Sequence, residues 1–405
     1  MTPLLLAWSN LAHKRARTAI AAGGVAFAVI LIFMELGLLG GVGRTATMLF
    51  DKLNFDLFIT SSEYMDLSRT EPFQRSRLAQ ARSVSAVDEV VPLSFGGGGW
   101  RAPSRTGLFG PTPGGSVLSI TLIAVPPGQI ERAFVIGPGG VFPTVEDARI
   151  AGIAIGHLDA FLLDRLSKPD FGSVEQLIVA SESETTDPVR LNNMRATVAG
   201  SFELGTGFSW NGMLLSSEET LGRFTGRRAD AVDFGLVQLR EGADILAVQQ
   251  ELRATLPPDV KVYTRAELNA DERRYWLRLT SIGQFLVVAV ILAVVVGVIF
   301  VYQMMAADIR NMMPEYATVK ALGYRPPYLT GVVLWQAALL AMLGYVPGFF
   351  ASIGLYAAAR AWGGIPTGMT IEIAVGVLVL TLGMCLASGL LAVRKVHAAD
   401  PADLF

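Results

Sequence analysis

The stretch Met313–Arg325, MPEYATVKALGYR, lies between two long apolar runs and carries the signals of a short helix at both ends. Pro314 suits the first helical position, where a missing N–H costs nothing, and Gly323 suits the left-handed residue just past the last turn. Between them Tyr316, Val319 and Leu322 fall on one helical face, while Glu315 and Lys320 remain solvated. A helix this short gains little from intrinsic propensity and needs a surface to hold it. Two readings follow: a docking element for another protein, or a loop helix lying on the bilayer.

The apolar runs on either side belong to a set of four, each offering roughly 20 residues to a membrane. Residues 18–42 form the first, interrupted by Glu35; 279–307 form the second, rich in Val, Ile and Leu. The third, 329–358, contains Gly331, Gly344, Pro347, Gly348 and Gly354, small residues that let helices approach closely, with a kink expected at Pro347. Residues 372–393 form the last. The chain therefore reads as an α+β membrane protein with four transmembrane helices, one plus three. A large α+β domain is inserted between helices 1 and 2. Of the 405 residues 52% are hydrophobic and 17% charged, which fits spans combined with a substantial water-exposed part. The net charge of −2 leaves no basic excess to neutralise phosphates, and this argues against a nucleic-acid partner.

Basic residues orient the spans. Lys14, Arg15 and Arg17 precede the first, Arg310, Lys320 and Arg325 lie between the second and third, and Arg394 and Lys395 follow the fourth. Residues 1–17, 308–328 and 394–405 are accordingly expected in the cytoplasm, with 43–278 and the short 359–371 loop outside. The first run has the basic flank of a signal peptide, but it is too long for a typical apolar core of one and lacks a small-x-small site at its end.

Residues 43–278 read as folded. NFDLFIT (Asn54–Thr60) alternates Phe55, Leu57 and Ile59 as a strand does; a polar helical stretch follows near 74–82, and Val87–Phe95 reads as a strand. The pattern returns at the far end, with strand-like Phe234–Leu239, a helical stripe of Ile245, Val248 and Leu252, and strand-like Val260–Tyr263. Two β-α-β units, 43–95 and 234–278, thus suggest one α+β base of discontinuous sequence. The insertion 96–233 reads as mostly β, with strand-like runs at Val117–Val125, Gln176–Ala180 and Ala196–Phe202. It opens with Gly96–Gly99 and a Gly/Pro/Ser-rich loop to Gly115. Trp100 and Arg101 follow the glycines where a phosphate-binding loop needs Lys and Ser or Thr, so a flexible loop is the expectation.

Catalytic motifs are missing from the sequence. No G-x-x-x-x-G-K-S/T, H-E-x-x-H or G-x-S-x-G occurs, and Cys385, the single cysteine, sits in an apolar run. His157 is the one histidine of 43–278 and reads as a surface or half-buried packing residue. No catalytic, cofactor-binding or metal-binding residue is assigned. Glu35 is the ionisable residue inside a span, and such residues are functional suspects. It falls roughly 25 Å along the first helix, counting about 1.5 Å per residue from Thr18, near the outer interface. There it reaches water or headgroups; the alternative is a polar contact between subunits or to a substrate headgroup.

The E-Y-A-T-V-K-A-L-G-Y loop (Glu315–Tyr324), the closing A-A-D-P-A-D-L-F (Ala398–Phe405) and the one-plus-three layout resemble the MacB/FtsX class of ABC transporter permeases. Within it the chain looks most like the DevC subfamily. LNFDLFI (Leu53–Ile59), GSFELGTGF (Gly200–Phe208), LPPDVKVYTRAEL (Leu256–Leu268), VVGVIFVYQ (Val295–Gln303) and GYVPGFFASIGLY (Gly344–Tyr356) extend the resemblance along the chain. Glu35 departs from it, where an uncharged polar residue is expected, and so does the long loop after Phe95.

The resemblance implies a non-catalytic permease in the bacterial inner membrane, its 43–278 domain periplasmic, working as a homodimer. Each copy would engage a separate DevA-like ABC ATPase, which holds the ATP and Mg, through Glu315, Tyr316, Lys320, Leu322, Gly323 and Tyr324. Motion would pass along the second span to the periplasm by mechanotransmission, meeting a DevB-like adaptor that leads to a TolC-like outer-membrane channel. The implied cargo is a glycolipid or another envelope amphiphile. An FtsX-like subunit that activates cell-wall hydrolases is the alternative; the size of the outer region favours the exporter.

Overall fold

The computed structural model describes residues 2–13, 15–103, 105–107, 110–112, 116–182, 188–207, 210–311, 326–363 and 367–397. They form two compact units, residues 42–279 and residues 1–41 with 280–405. The helices are α1 (Pro3–His13), α2 (Arg15–Lys52), α3 (Ser76–Ala81), α4 (Ile130–Ala133), α5 (Val145–Ile155), α6 (Val174–Glu182), α7 (Glu218–Thr225), α8 (Ile245–Thr255), α9 (Arg265–Arg274), α10 (Ser281–Asn311), α11 (Pro326–Gly363) and α12 (Ile371–His397). The strands are β1 (Leu57–Ser61), β2 (Phe73–Gln74), β3 (Val87–Arg101), β4 (Arg105–Gly107), β5 (Gly110–Thr112), β6 (Leu118–Ala124), β7 (Ala160–Asp164), β8 (Arg190–Leu191), β9 (Met194–Arg195), β10 (Thr197–Phe202), β11 (Met213–Ser216), β12 (Ala231–Val232), β13 (Phe234–Leu239) and β14 (Val260–Thr264).

In the unit of residues 42–279 one mixed sheet runs β10-β7-β11-β6-β3-β13-β1-β14. Its last four strands are all antiparallel, and α3 connects β1 to β3 as α8 connects β13 to β14. This is the split β-α-β arrangement, ferredoxin-like in strand order. Both faces are covered, which is why β1 is buried throughout rather than alternating. Leu57 and Ile59 meet Leu78, Val248 and Leu252 of α3 and α8. Phe58 points the other way, into a cluster with Phe50, Phe55 and Phe234, its ring centroid 4.9–5.5 Å from theirs.

Strand β3 spans both halves of the sheet. Residues 87–93 pair with β13, and residues 94–100 pair with β6. Gly96–Gly99, expected as the start of a loop, therefore lie inside a strand. Their missing side chains make the packing possible: a Cβ at Gly96 would stand 2.8 Å from Leu221 Cδ1, and one at Gly98 2.7 Å from Leu191 Cδ1. Gln176–Ala180, expected as a strand, belongs to α6. Val174, Leu177, Ala180 and Ser181 recur at helical spacing and are buried, whereas Val179 is 66% exposed. An apolar run this short does not distinguish the two periods by itself.

Among the described residues, helices long and apolar enough to cross a membrane run over Arg15–Lys52, Ser281–Ala307, Thr330–Ala361 and Ile371–Val393. Fold class thus agrees with the sequence reading: four candidate spans, with a mixed α+β domain between the first and second. Two features of the first segment differ from it. A separate helix, α1, precedes the span, and α2 continues ten residues past 42 to Lys52, into the α+β unit.

In an apolar solvent burial supplies little drive between helices, so close approach through small residues has to serve. Gly344 and Gly348 of α11 lie against Val25 and Val29 of α2, and Gly24 of α2 lies under the Phe300 ring of α10. Gly297 of α10 faces Ala28 and Met384. The Tyr356 hydroxyl donates to the Phe33 carbonyl, and Arg17 donates to the Ala307 carbonyl at 3.0 Å. Ser352 and Thr381 donate to the carbonyls four residues back, at 2.7 Å each, so neither of these hydroxyls is left bare among the helices.

A methyl at Gly344 would stand 2.5 Å from Val25 Cβ and 3.0 Å from the Ala22 carbonyl, where helix backbone blocks relief. Gly344→Ala is expected to destabilise the protein by ~1–3 kcal/mol, the usual scale of overpacking. Gly376→Ala, with nothing within 4 Å of the new methyl, should leave the melt unchanged. Thermal unfolding of the detergent-solubilised chain checks both.

Candidate functional site

The residues expected to couple to an ATPase, Glu315, Tyr316, Lys320, Leu322, Gly323 and Tyr324, lie outside the described residues. Glu35 is described. It sits on α2, half-buried, two residues beyond the Phe33 carbonyl that binds Tyr356, and makes no hydrogen bond or ion pair among the described residues. His157 is exposed just past α5. No group of three or more metal-ligating side chains occurs among the described residues.

What the fold does assemble is a socket around the last turns of α2. A helix end leaves its last carbonyls without intrahelical donors; here those of Phe50 and Lys52, with those of Leu53 and Phe55 just beyond, find donors elsewhere in the chain. Arg265 Nη1 donates to the Phe50 carbonyl, and Nη2 donates to those of Leu53 and Phe55 at 3.1 and 3.0 Å. Its guanidinium carbon lies 4.0 Å from the centre of the Phe55 ring. The Val135 amide donates to the Lys52 carbonyl at 2.9 Å, and Lys52 Nζ donates to the carbonyls of Gly139 and Gly140. Gly137 and Gly139 have φ of +118° and +77°, so the turn receiving Lys52 depends on glycine.

Two further segments close the socket. Leu49, Phe50 and Leu53 join the main core of the domain, together with Leu204, Trp210 and Leu268. Gly205, at φ +109°, places its backbone against Met48, and Gly207 does the same against Thr45. Asp164 holds that loop: its carboxylate accepts from the amides of Leu166, Leu204 and Gly205 at 3.1, 3.0 and 2.8 Å. Burial pushes the Asp164 pKa up, against the pull of those three amides.

Three stretches quoted above for resemblance converge here. LNFDLFI supplies Leu53, Phe55 and Phe58, GSFELGTGF supplies Leu204, Gly205 and Gly207, and LPPDVKVYTRAEL supplies Arg265 and Leu268. Sequence reasoning did not single out Arg265, yet a signal was present. Thr264 and Glu267 form a capping box at the start of α9, which puts Arg265 in its first turn. A cation is disfavoured at a helix N-terminus and favoured at a C-terminus. Arg265 serves the C-terminus of a different helix. Burial holds its pKa below the ordinary value, and the nearby carboxylates of Asp51 and Asp56 act in the opposite sense.

Arg265→Met should cost about 2–3 kcal/mol, the scale of losing charged donors to otherwise orphaned carbonyls. Arg265→Lys should recover only part of that, because a single ammonium cannot reproduce the fork. Chemical denaturation of the full chain measures the stability change. Faster proteolysis near 50–56 would locate it at the end of α2.

Residues 287–401 match the family model described as FtsX-like permease C-terminal. Among curated proteins none matches this chain. Of solved structures, the extracellular domain of the noncanonic ABC-type transporter YknZ from Gram-positive bacteria overlaps 52% of this chain and 99% of its own, at 15% identity and a TM-score of 0.32. The periplasmic region of MacB from Actinobacillus actinomycetemcomitans overlaps 57% of this chain and 94% of its own, at 12% identity and a TM-score of 0.33. Superpositions this loose carry no weight here. The family match takes in α10 from residue 287 onward, α11 and α12, so this part of the chain is similar to the FtsX-like permease C-terminal family.

Proposed function

We propose that the chain is the permease subunit of an ATP-driven ABC exporter of the MacB/FtsX class, working by mechanotransmission with a separate ATPase. The observation that carries this is the one-plus-three set of candidate spans, with an α+β domain between the first two and an FtsX-like permease match over the rest. ATP and Mg belong to the partner, since the sequence has no Walker-type loop of its own. The Glu315–Tyr324 segment docks on that ATPase from the cytoplasm. Residues 42–279 lie in the periplasm, and two copies act together. The socket at the end of α2 supports the mechanical part of the reading, because a domain that receives motion through its chain crossings needs those crossings firmly held.

The finer parts rest on the DevC-like resemblance: a DevB-like adaptor, a TolC-like outer-membrane channel, and a glycolipid or other envelope amphiphile as cargo. Purification of the tagged chain from native membranes in mild detergent tests the assembly. Recovery of an ABC ATPase with a periplasmic adaptor is expected. An ATPase recovered with cell-wall hydrolases and no adaptor would favour the FtsX-like signalling subunit, and repeated preparations without an ATPase would overturn the docking role.

Charge reversal at Glu315 or Lys320 is expected to uncouple ATP hydrolysis from export while membrane levels stay normal; unchanged export in both variants would count against the docking role. Glu35→Gln should be tolerated if Glu35 meets only water or headgroups. Loss of export at normal expression would instead assign it a working contact.

A further inference from the structure

Helix α1 has three sides. Pro3, Leu6, Ala7, Asn10 and Leu11 recur at helical spacing and form the covered side, and α1 packs against α11. Ser9 and His13, four residues apart, form a polar exposed strip. The rest of the circumference is an apolar arc of Leu4, Leu5 and Trp8, exposed at 40, 59 and 55%, completed by Ala12. A polar strip beside an exposed apolar arc is the pattern of a helix that lies in a membrane interface, where Trp is favoured at headgroup level.

The contacts of α1 place it at such a level. The Thr18 hydroxyl, near the start of α2, donates to the Leu11 carbonyl at 2.8 Å across the junction of the two helices. One residue earlier, Arg17 donates to the carbonyl of Ala307, where the second candidate span ends. At the other end of α1, Pro3 lies against Gly331 near the start of the third candidate span; a Cβ there would stand 3.7 Å from Pro3 Cβ. The 11 residues of α1, roughly 16 Å of helix, therefore bridge the start of one span and the start of another, beside the end of a third. Those three ends share one side of a membrane, so α1 lies along that surface.

Charge points to what covers the arc. Residues 1–34 contain Lys14, Arg15 and Arg17 and no Asp or Glu, so the basic residues next to α1 meet no acidic side chain from their own segment. Arg15 is exposed, and exposed apolar side chains resume on α2 at Ile20 and Phe27. The arc is thus continuous along the chain with surface that faces lipid in a spanning helix. We propose that α1 docks on an anionic lipid surface, with the Leu4, Leu5 and Trp8 arc among the acyl chains and the basic residues that follow α1 against the headgroup phosphates. This requires only that the spans cross a membrane, and it holds whatever the chain exports.

The full chain in nanodiscs of phosphatidylcholine and phosphatidylglycerol, carrying an NBD fluorophore at Trp8→Cys or at His13→Cys, tests the docking. The native Cys385 is buried and stays unlabelled. Lipid with a doxyl group on its acyl chain should quench the label at position 8 while aqueous iodide does not, and the order should reverse at position 13. Iodide reaching position 8 as readily as position 13 would overturn the proposal and assign the arc to a protein partner instead. Where Trp8→Cys unsettles α1, Leu5→Cys reads the same arc. With the doxyl group placed on each lipid in turn, quenching at position 8 should favour phosphatidylglycerol. Lys14→Gln together with Arg15→Gln should lower that preference by about fivefold per charge at low salt. A label that responds equally to both lipids, or a preference that survives the two substitutions, would overturn the anionic docking.

Discussion

The carbonyls at the end of α2 set a constraint that much of the α+β domain is organised to meet. A helix that runs past its candidate span into a folded domain arrives with unsatisfied acceptors and an apolar last turn. Water cannot serve acceptors that are buried, so donors come from elsewhere in the chain. Arg265 arrives from the beginning of α9 and Val135 from the turn after α4, while the backbone of Gly205 and Gly207, from the loop after β10, packs against Met48 and Thr45. Segments more than 200 residues apart in sequence thus share one small volume, and Phe50, Phe55 and Phe58 fill its centre.

The helical unit solves a different problem by different means. There the side chains already sit among apolar surroundings, and expulsion of water from between helices offers little. Glycines at 24, 297, 344 and 348 remove the side chain at points of contact, so backbone and methyl groups meet directly. The polar interactions are few and specific, such as Tyr356 to the Phe33 carbonyl and Ser388 to that of Val298 at 3.3 Å.

The sequence was most informative where composition or period is decisive. Long charge-poor runs marked the spans, and the alternation in β1, β13 and β14 with the stripe of α8 gave the base of the domain. It misled where a local pattern serves two structures. The QLIVA run of α6 has β-branched residues and strand length, and only its packed partners decide for a helix. Gly96–Gly99 looks like a loop until Leu221 and Leu191 are seen to need the space. The extension of α2 was hidden because hydropathy falls at Arg44 while helical spacing persists through Leu49 and Phe50. Arg265 was only half legible: the capping box marks a cation out of place at a helix start, but the carbonyls it serves lie more than 200 residues away in sequence.

The register of β1 with β14 sets how this domain bears load. Leu57 pairs with Thr264, so the strand that follows α2 and the strand that precedes α9 have their chain-crossing ends side by side. Tension applied unequally to those two ends does not shear the ladder, in which case all its bonds would resist together. It peels the pair like a zipper, one rung at a time, starting from Leu57 and Thr264. Arg265 is the next residue after that first rung, and its fork is fastened to the other tape at Leu53 and Phe55. It is a stop sewn across the mouth of the zipper, and the force needed to open the domain is set there before any strand bond is tested.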